Sequence, residues 1–135
     1  MLNKILCIDD DPITLMLCKK VISRNKFSKE TDTANNGEEA LKYYTDINNS
    51  DNNETLLPEL IFLDLNMPVM GGWEFLDIFC GSEFNHFNKT PIVVLSSTID
   101  PEDLEKTKKY PMVIDFLPKP ISASMLDYLV KKTLQ

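Results

Sequence analysis

Three acids, a serine and a lysine each stand at the end of a short apolar run. Asp9 and Asp10 follow Ile5-Leu6-Cys7-Ile8, and Asp64 follows Leu60-Ile61-Phe62-Leu63. Ser96 follows Ile92-Val93-Val94-Leu95, and Lys119 comes soon after Phe116-Leu117. A carboxylate inside a continuing sheet is costly to desolvate, so Asp64 should emerge at an edge where ligands collect. Carboxylates gathered in one pocket repel, which raises at least one pKa unless a cation intervenes. Mg²⁺ suits such a place, because it takes one or two carboxylates, keeps waters and accepts phosphoryl oxygens. An aspartate can act as a nucleophile and form an acyl phosphate. A lysine supplies a point charge, and a serine a hydroxyl donor, for the phosphoryl oxygens. These residue types point to a phosphoryl and metal site.

The elements that must position them alternate along the chain. Strands are expected at Lys4 to Ile8, Lys29 to Ala34, Leu60 to Asp64, Ile92 to Leu95 and Val113 to Leu117. Runs that are apolar at every position suit parallel strands covered on both faces. The first helix is expected from Pro12, capped by Asp11, with Ile13, Leu17 and Val21 as its apolar face and Met16 filling in. The second should run from Asn36-Gly37 to about Tyr44, and the third carries Trp73, Leu76, Phe79 and Cys80. The fourth, from Pro101 to about Tyr110, has one firm apolar anchor, Leu104, and should be the least stable. The fifth carries Met125, Leu126, Leu129 and Val130. Five β-α units fit a doubly wound α/β fold with a five-stranded parallel sheet. In the order 2-1-3-4-5, strands one and three are neighbours, which would bring Asp9, Asp10 and Asp64 together. The polar segment 46–59 reads as a loop insertion, mobile by default.

The bulk properties narrow the function classes. At 135 residues the chain fits one domain, and 43% hydrophobic with 26% charged residues is ordinary for a soluble globular protein. A formal net charge of -7 argues against binding nucleic acid or an anionic membrane. No run reaches transmembrane length and no signal peptide is visible, so the expectation is a cytoplasmic protein with no membrane insertion. Cys7, Cys18 and Cys80 lack metal-ligand spacing and read as free thiols. The only histidine, His86, lies in the polar stretch 83–89 without a metal partner and reads as an ordinary surface side chain.

Five segments carry a resemblance to a known family. They are Ile5-Leu6-Cys7-Ile8-Asp9-Asp10-Asp11-Pro12, Ala34-Asn35-Asn36-Gly37-Glu38-Glu39-Ala40-Leu41, Leu63-Asp64-Leu65-Asn66-Met67-Pro68-Val69-Met70-Gly71-Gly72, Pro91-Ile92-Val93-Val94-Leu95-Ser96-Ser97 and Asp115-Phe116-Leu117-Pro118-Lys119-Pro120. In this order and spacing the chain resembles a response-regulator receiver domain, chemotaxis-regulator-like, over essentially its whole length. The resemblance implies a flavodoxin-like receiver fold, with residues 1–135 as a stand-alone domain lacking an output domain. It implies Asp64 as phosphoacceptor, Asp10 binding Mg²⁺ directly, Asp9 through water, and Asn66 through its backbone carbonyl. Ser96 would move onto the phosphoryl group, Lys119 would pair with it, Pro120 would carry a cis peptide, and Phe116 would be the switch aromatic. A histidine kinase or histidine phosphotransfer protein would be the donor in a two-component system or phosphorelay. A downstream protein partner would read the surface of the fourth helix, fifth strand and fifth helix.

Some positions depart from the commonest pattern. Phe116 stands where Tyr is more usual, Ser97 where Ala or Gly is frequent, and Tyr110-Pro111-Met112 lacks the usual Gly-Ala before the last strand. Gly71-Gly72 replaces Asp-Gly or Asn-Gly and should loosen the loop after Asp64. Two alternatives differ in class. One is a receiver-shaped interaction module working without phosphorylation. The other is a haloacid-dehalogenase-type phosphatase, whose second acid lies two residues after the first, where this chain has Asn66.

Overall fold

The computed structural model describes residues 1–50, 57–87 and 89–133, without the side chains of residues 85, 86 and 133. Five strands, β1 (Leu2–Ile8), β2 (Ser28–Ala34), β3 (Leu60–Asp64), β4 (Ile92–Ser96) and β5 (Val113–Pro118), pair in parallel in the order β2-β1-β3-β4-β5. The helices are α1 (Pro12–Arg24), α2 (Gly37–Asn48), α3 (Gly72–Phe79), α4 (Pro101–Thr107) and α5 (Ala123–Thr133). This is the expected doubly wound receiver-type topology.

Alternation along the strands explains why runs apolar at every position were needed. On one face Ile5, Cys7, Leu60, Phe62, Val93 and Leu95 pack against Leu15, Cys18 and Ile22 of α1 and Leu126 and Leu129 of α5. On the other, Leu6, Ile8, Ile61, Leu63 and Ile92 meet Ala40 and Tyr44 of α2 and Phe75, Leu76 and Phe79 of α3. Where these strands are covered on both faces, from Ile5, Leu60 and Ile92 onward, no polar residue appears until the carboxyl edge. The edge strand β2 is different: its sequence SKETDTA is mostly polar, which discourages pairing with another sheet.

The helices differ from expectation in instructive ways. On α1 the buried stripe is Leu15, Cys18 and Ile22, while Ile13, Met16 and Leu17 are exposed at 63%, 48% and 44%. The helix carries two apolar stripes, and the rotation fixed by the Asp11 cap and the packing on Cys7 turns the second inward. Asp11 does cap α1, accepting from the Ile13 backbone N–H and the Thr14 hydroxyl. α2 extends to Asn48 rather than Tyr44, because Ile47 keeps its apolar stripe buried one turn further. Residues 51–56 of the expected mobile insertion lie outside the described residues. The stretch after α3 forms a 3₁₀ turn, Ser82–Phe87, that buries Phe84 and Phe87, so it is not simply polar. The His86 side chain lies outside the described residues. On α4, Leu104 is 42% exposed and Thr107 is the buried residue, with the helix ending there rather than at Tyr110.

Tyr44 is fully buried, with ring centroids 4.6 Å from Phe79 and 5.0 Å from Phe87, yet its hydroxyl has no hydrogen-bond partner among the described residues. Burial accordingly pushes its phenol well above the ordinary range. An unmet buried hydroxyl costs more than its removal. Tyr44→Phe should therefore raise unfolding stability by about 1 kcal/mol in urea titration. A comparable loss instead would show that the hydroxyl is satisfied in solution.

Candidate functional site

Parallel pairing aligns the strand ends that carry the polar residues. The registers Ile8↔Leu63, Asp64↔Leu95 and Ser96↔Pro118 put the ends of β1, β3, β4 and β5 side by side. Ligand atoms of Asp9, Asp10 and Asp64 lie within 4.8 Å of one another, with Asp9 and Asp64 buried and Asp10 exposed. Lys119 Nζ reaches between two of them, 2.6 Å from Asp9 Oδ2 and 3.3 Å from Asp64 Oδ1. The lysine is thus nearer to Asp9 than to Asp64. Its backbone N–H donates to the Ser96 carbonyl at 2.8 Å, and the Lys119–Pro120 peptide is cis.

The electrostatics follow from this crowding. Burial, then the Asp9 charge, raises the Asp64 carboxyl above the ordinary range, against the pull of Lys119 and of the Asn66 backbone N–H. Burial alone would lower the Lys119 ammonium, but its bonds and charge contacts with Asp9 and Asp64 outweigh that and raise it. One ammonium thus contacts two of the three carboxylates, and the donor set is all oxygen. That is the chemistry a hard divalent cation such as Mg²⁺ fits, at a cluster still short of positive charge.

Ser96 and Phe116 are placed less simply. Ser96 is buried, and its hydroxyl donates to the Thr98 carbonyl at 2.6 Å rather than to the acids. Phe116 is already turned inward, 7% exposed, among Leu65, Val94, Trp73 and Val113. Asn66 is exposed beside Asp64.

The loop after Asp64 is tight rather than loose, contrary to the reading of Gly71-Gly72. The Gly72 N–H donates to the Leu65 carbonyl at 2.9 Å, and Gly37 N–H to the Met70 carbonyl at 2.9 Å. Gly72 lets the start of α3 approach the β3 backbone so closely that a Cβ would lie 2.7 Å from the Asp64 carbonyl oxygen. Within the loop, Met70 N–H donates to Pro68 O at 2.7 Å across Val69, whose φ is +66°. A β-branched residue there is strained. Val69→Gly should gain about 1 kcal/mol in denaturant melts, the relief of strain exceeding the entropy glycine loses on folding. A loss of stability would show the turn to be unstrained.

Sequence reasoning found the stripe Ile13, Met16 and Leu17 but took it as the inward face of α1, because exposure depends on how the helix is rotated. It missed Trp73 as a neighbour of Phe116, a contact between elements far apart in sequence.

The model of the response regulator receiver domain matches residues 5–131. The chain belongs to this family. As a receiver domain it is classed with the signal-transduction modules of two-component systems. The receiver is similar in structure to a two component response regulator from Cytophaga hutchinsonii, at 29% identity and TM-score 0.86, covering 98% of this chain and 97% of that one. It is also similar to the phosphorylated cyanobacterial phytochrome response regulator RcpA, at 26% identity and TM-score 0.70, covering 98% and 91%. Among curated proteins it is 25% identical over 134 residues to the regulatory protein AtoC of Escherichia coli, covering 99% of this chain and 26% of that protein. It is 31% identical over 126 residues to a protein-glutamate methylesterase/protein-glutamine glutaminase of Halalkalibacterium halodurans, covering 92% and 32%. The receiver thus spans about a quarter to a third of the length of these curated relatives. Among the described residues, no helix is long and apolar enough to cross a membrane.

Proposed function

We propose that this receiver accepts a phosphoryl group on Asp64 and uses it to switch a protein-binding surface. The observation that carries the reading is the cluster of Asp9, Asp10 and Asp64 within 4.8 Å, with Lys119 bridging Asp9 and Asp64. Asp9, Asp10 and Asp64, with the Asn66 backbone carbonyl, would hold Mg²⁺, which when bound supplies charge neutralisation for incoming phosphoryl oxygens. The Asp64 carboxylate oxygen attacks phosphorus, the donor's N–P bond breaks, and the leaving imidazole takes up a proton. Lys119 offers its ammonium to the transferred oxygens, and Ser96 can do the same with its hydroxyl only by releasing Thr98.

The donor is a phosphohistidine on a histidine kinase or histidine phosphotransfer protein. The exposed stripe Ile13, Met16 and Leu17 begins close to the acids and runs into Lys20 and Arg24, an apolar-to-basic track for a donor helix. Because Phe116 is already inward, the rearrangement centres on Ser96 and the loop to α4. The surface of α4, β5 and α5 would then carry the state to a downstream protein.

A small acyl phosphate with Mg²⁺ should add one phosphoryl group to the protein, read as intact mass, and none after chelation of the metal. Uptake that persists undiminished without Mg²⁺ would overturn the site.

A further inference from the structure

α4 has little holding it by burial: Thr107 is its one buried residue, and Leu104 faces solvent. It also touches β5, and further attachments reach it from α3. Lys106 Nζ sits 4.4 Å from the centroid of the Trp73 ring. Just past α4, the Tyr110 ring lies against the same indole, with centroids 6.0 Å apart and planes at 31°. The Tyr110 hydroxyl donates to Asp77, one turn along α3 from Trp73. Trp73 also packs against the cluster of Leu65, Val94 and Phe116 beneath. At the other end of α4, the Asp100 side chain accepts from the Glu102 N–H, and two residues earlier Thr98 holds the Ser96 hydroxyl.

We propose that Trp73, with Asp77, is a positioning latch: it grips α4 through Lys106 and Tyr110 and thereby keeps Ser96 bonded to Thr98. The inference rests on the phosphoacceptor reading for its consequence, though not for the latch itself. A helix with one buried side chain moves as its few attachments allow. The loop 97–100 is short, so an anchored α4 holds Thr98 where it can accept from Ser96. Loading Asp64 draws Ser96 away from Thr98, and the latch opposes that movement. Its position therefore sets how readily the receiver adopts the loaded state.

Lys106 is exposed, so Lys106→Gln removes the cation without disturbing the core. Amide hydrogen exchange across 101–107 should quicken about threefold in Lys106→Gln and more in Trp73→Leu, with Trp73→Phe close to wild type because it keeps an aromatic face. The Lys106→Gln/Trp73→Leu double variant should add little beyond Trp73→Leu alone, since loss of the indole already removes the Lys106 contact. With Mg²⁺ and beryllofluoride, the Lys106→Gln protein should bind about threefold or more tightly than wild type. Unchanged exchange in Lys106→Gln and Tyr110→Phe overturns the latch. Faster exchange with unchanged beryllofluoride affinity overturns its positioning role. If wild type itself fails to bind beryllofluoride, the phosphoacceptor reading falls, while the exchange data still decide whether α3 grips α4.

Discussion

Asp64→Asn should abolish phosphoryl uptake and, in the absence of metal, make the protein more stable at neutral pH. The first effect follows from losing the only carboxylate at the end of β3, and should lower uptake from a small phosphodonor roughly a hundredfold or more. The second follows from the carboxyl's raised pKa, which burial causes first and the Asp9 charge next. A carboxyl raised on folding binds its proton more tightly in the native state. Stability from this group is therefore fully present below its unfolded pKa of about 4 and is lost as pH rises through the higher native value. Above that value the ionised Asp64 is a net cost, which asparagine of the same shape removes. Thermal melts should place Asp64→Asn above wild type at pH 7, with the gap narrowing toward pH 4. Adding Mg²⁺ should shrink or reverse the gap, since the wild-type site gains the larger share of any metal binding. Equal phosphoryl uptake by the variant would remove the assignment. A lower melting temperature at pH 7 without metal would mean that the attraction of Lys119 exceeds the combined cost of burial and repulsion.

Gly72→Ala should be the most damaging small substitution near the site. Its Cβ would fall 2.7 Å from the Asp64 carbonyl oxygen and 2.8 Å from the Leu65 Cα. These are backbone atoms of the strand end and loop that carry Asp64, so neither can swing aside. Relief requires α3 to move off the sheet or the end of β3 to bend. The expected loss is about 3 kcal/mol, or about 10 °C in melting temperature for a domain of this size. Misplacing Asp64 by a fraction of an ångström should also slow phosphoryl uptake about tenfold or more in whatever fraction stays folded. Gly71→Ala is the natural control, with its nearest contact at 3.1 Å and an ordinary φ of −79°, and should cost far less. Similar losses in both variants would show that the loop needs flexibility rather than space at Gly72.

The contrast between the two glycines marks where sequence reading reached its limit. Gly71-Gly72 looked like a source of slack, yet Gly72 is a point of close approach between α3 and β3. Whether a glycine supplies freedom or room depends on what lies opposite, and the local sequence does not carry that information. The rotation of α1 is a similar case. Both Ile13-Met16-Leu17 and Leu15-Cys18-Ile22 are apolar stripes of helical spacing, and the one that faces the sheet was not the one periodicity favoured. In the 3₁₀ turn, Phe84 and Phe87 sit among polar neighbours in sequence, and packing against the rings of Phe79 and Tyr44 draws them in.

The sequence by itself determined the sheet and the convergence of its polar ends. Strands apolar at every position have to be covered on both faces, and parallel strands all end on one edge, so Asp9, Asp10, Asp64, Ser96 and Lys119 meet there. Only the tertiary structure decided that Lys119 lies closest to Asp9, that Ser96 is turned onto Thr98, that Phe116 is buried, and that Lys106 lies over Trp73. The physical reason is one of range. Burial pattern and strand direction are written in neighbouring residues, whereas side-chain rotation and partner choice are settled by contacts between elements tens of residues apart.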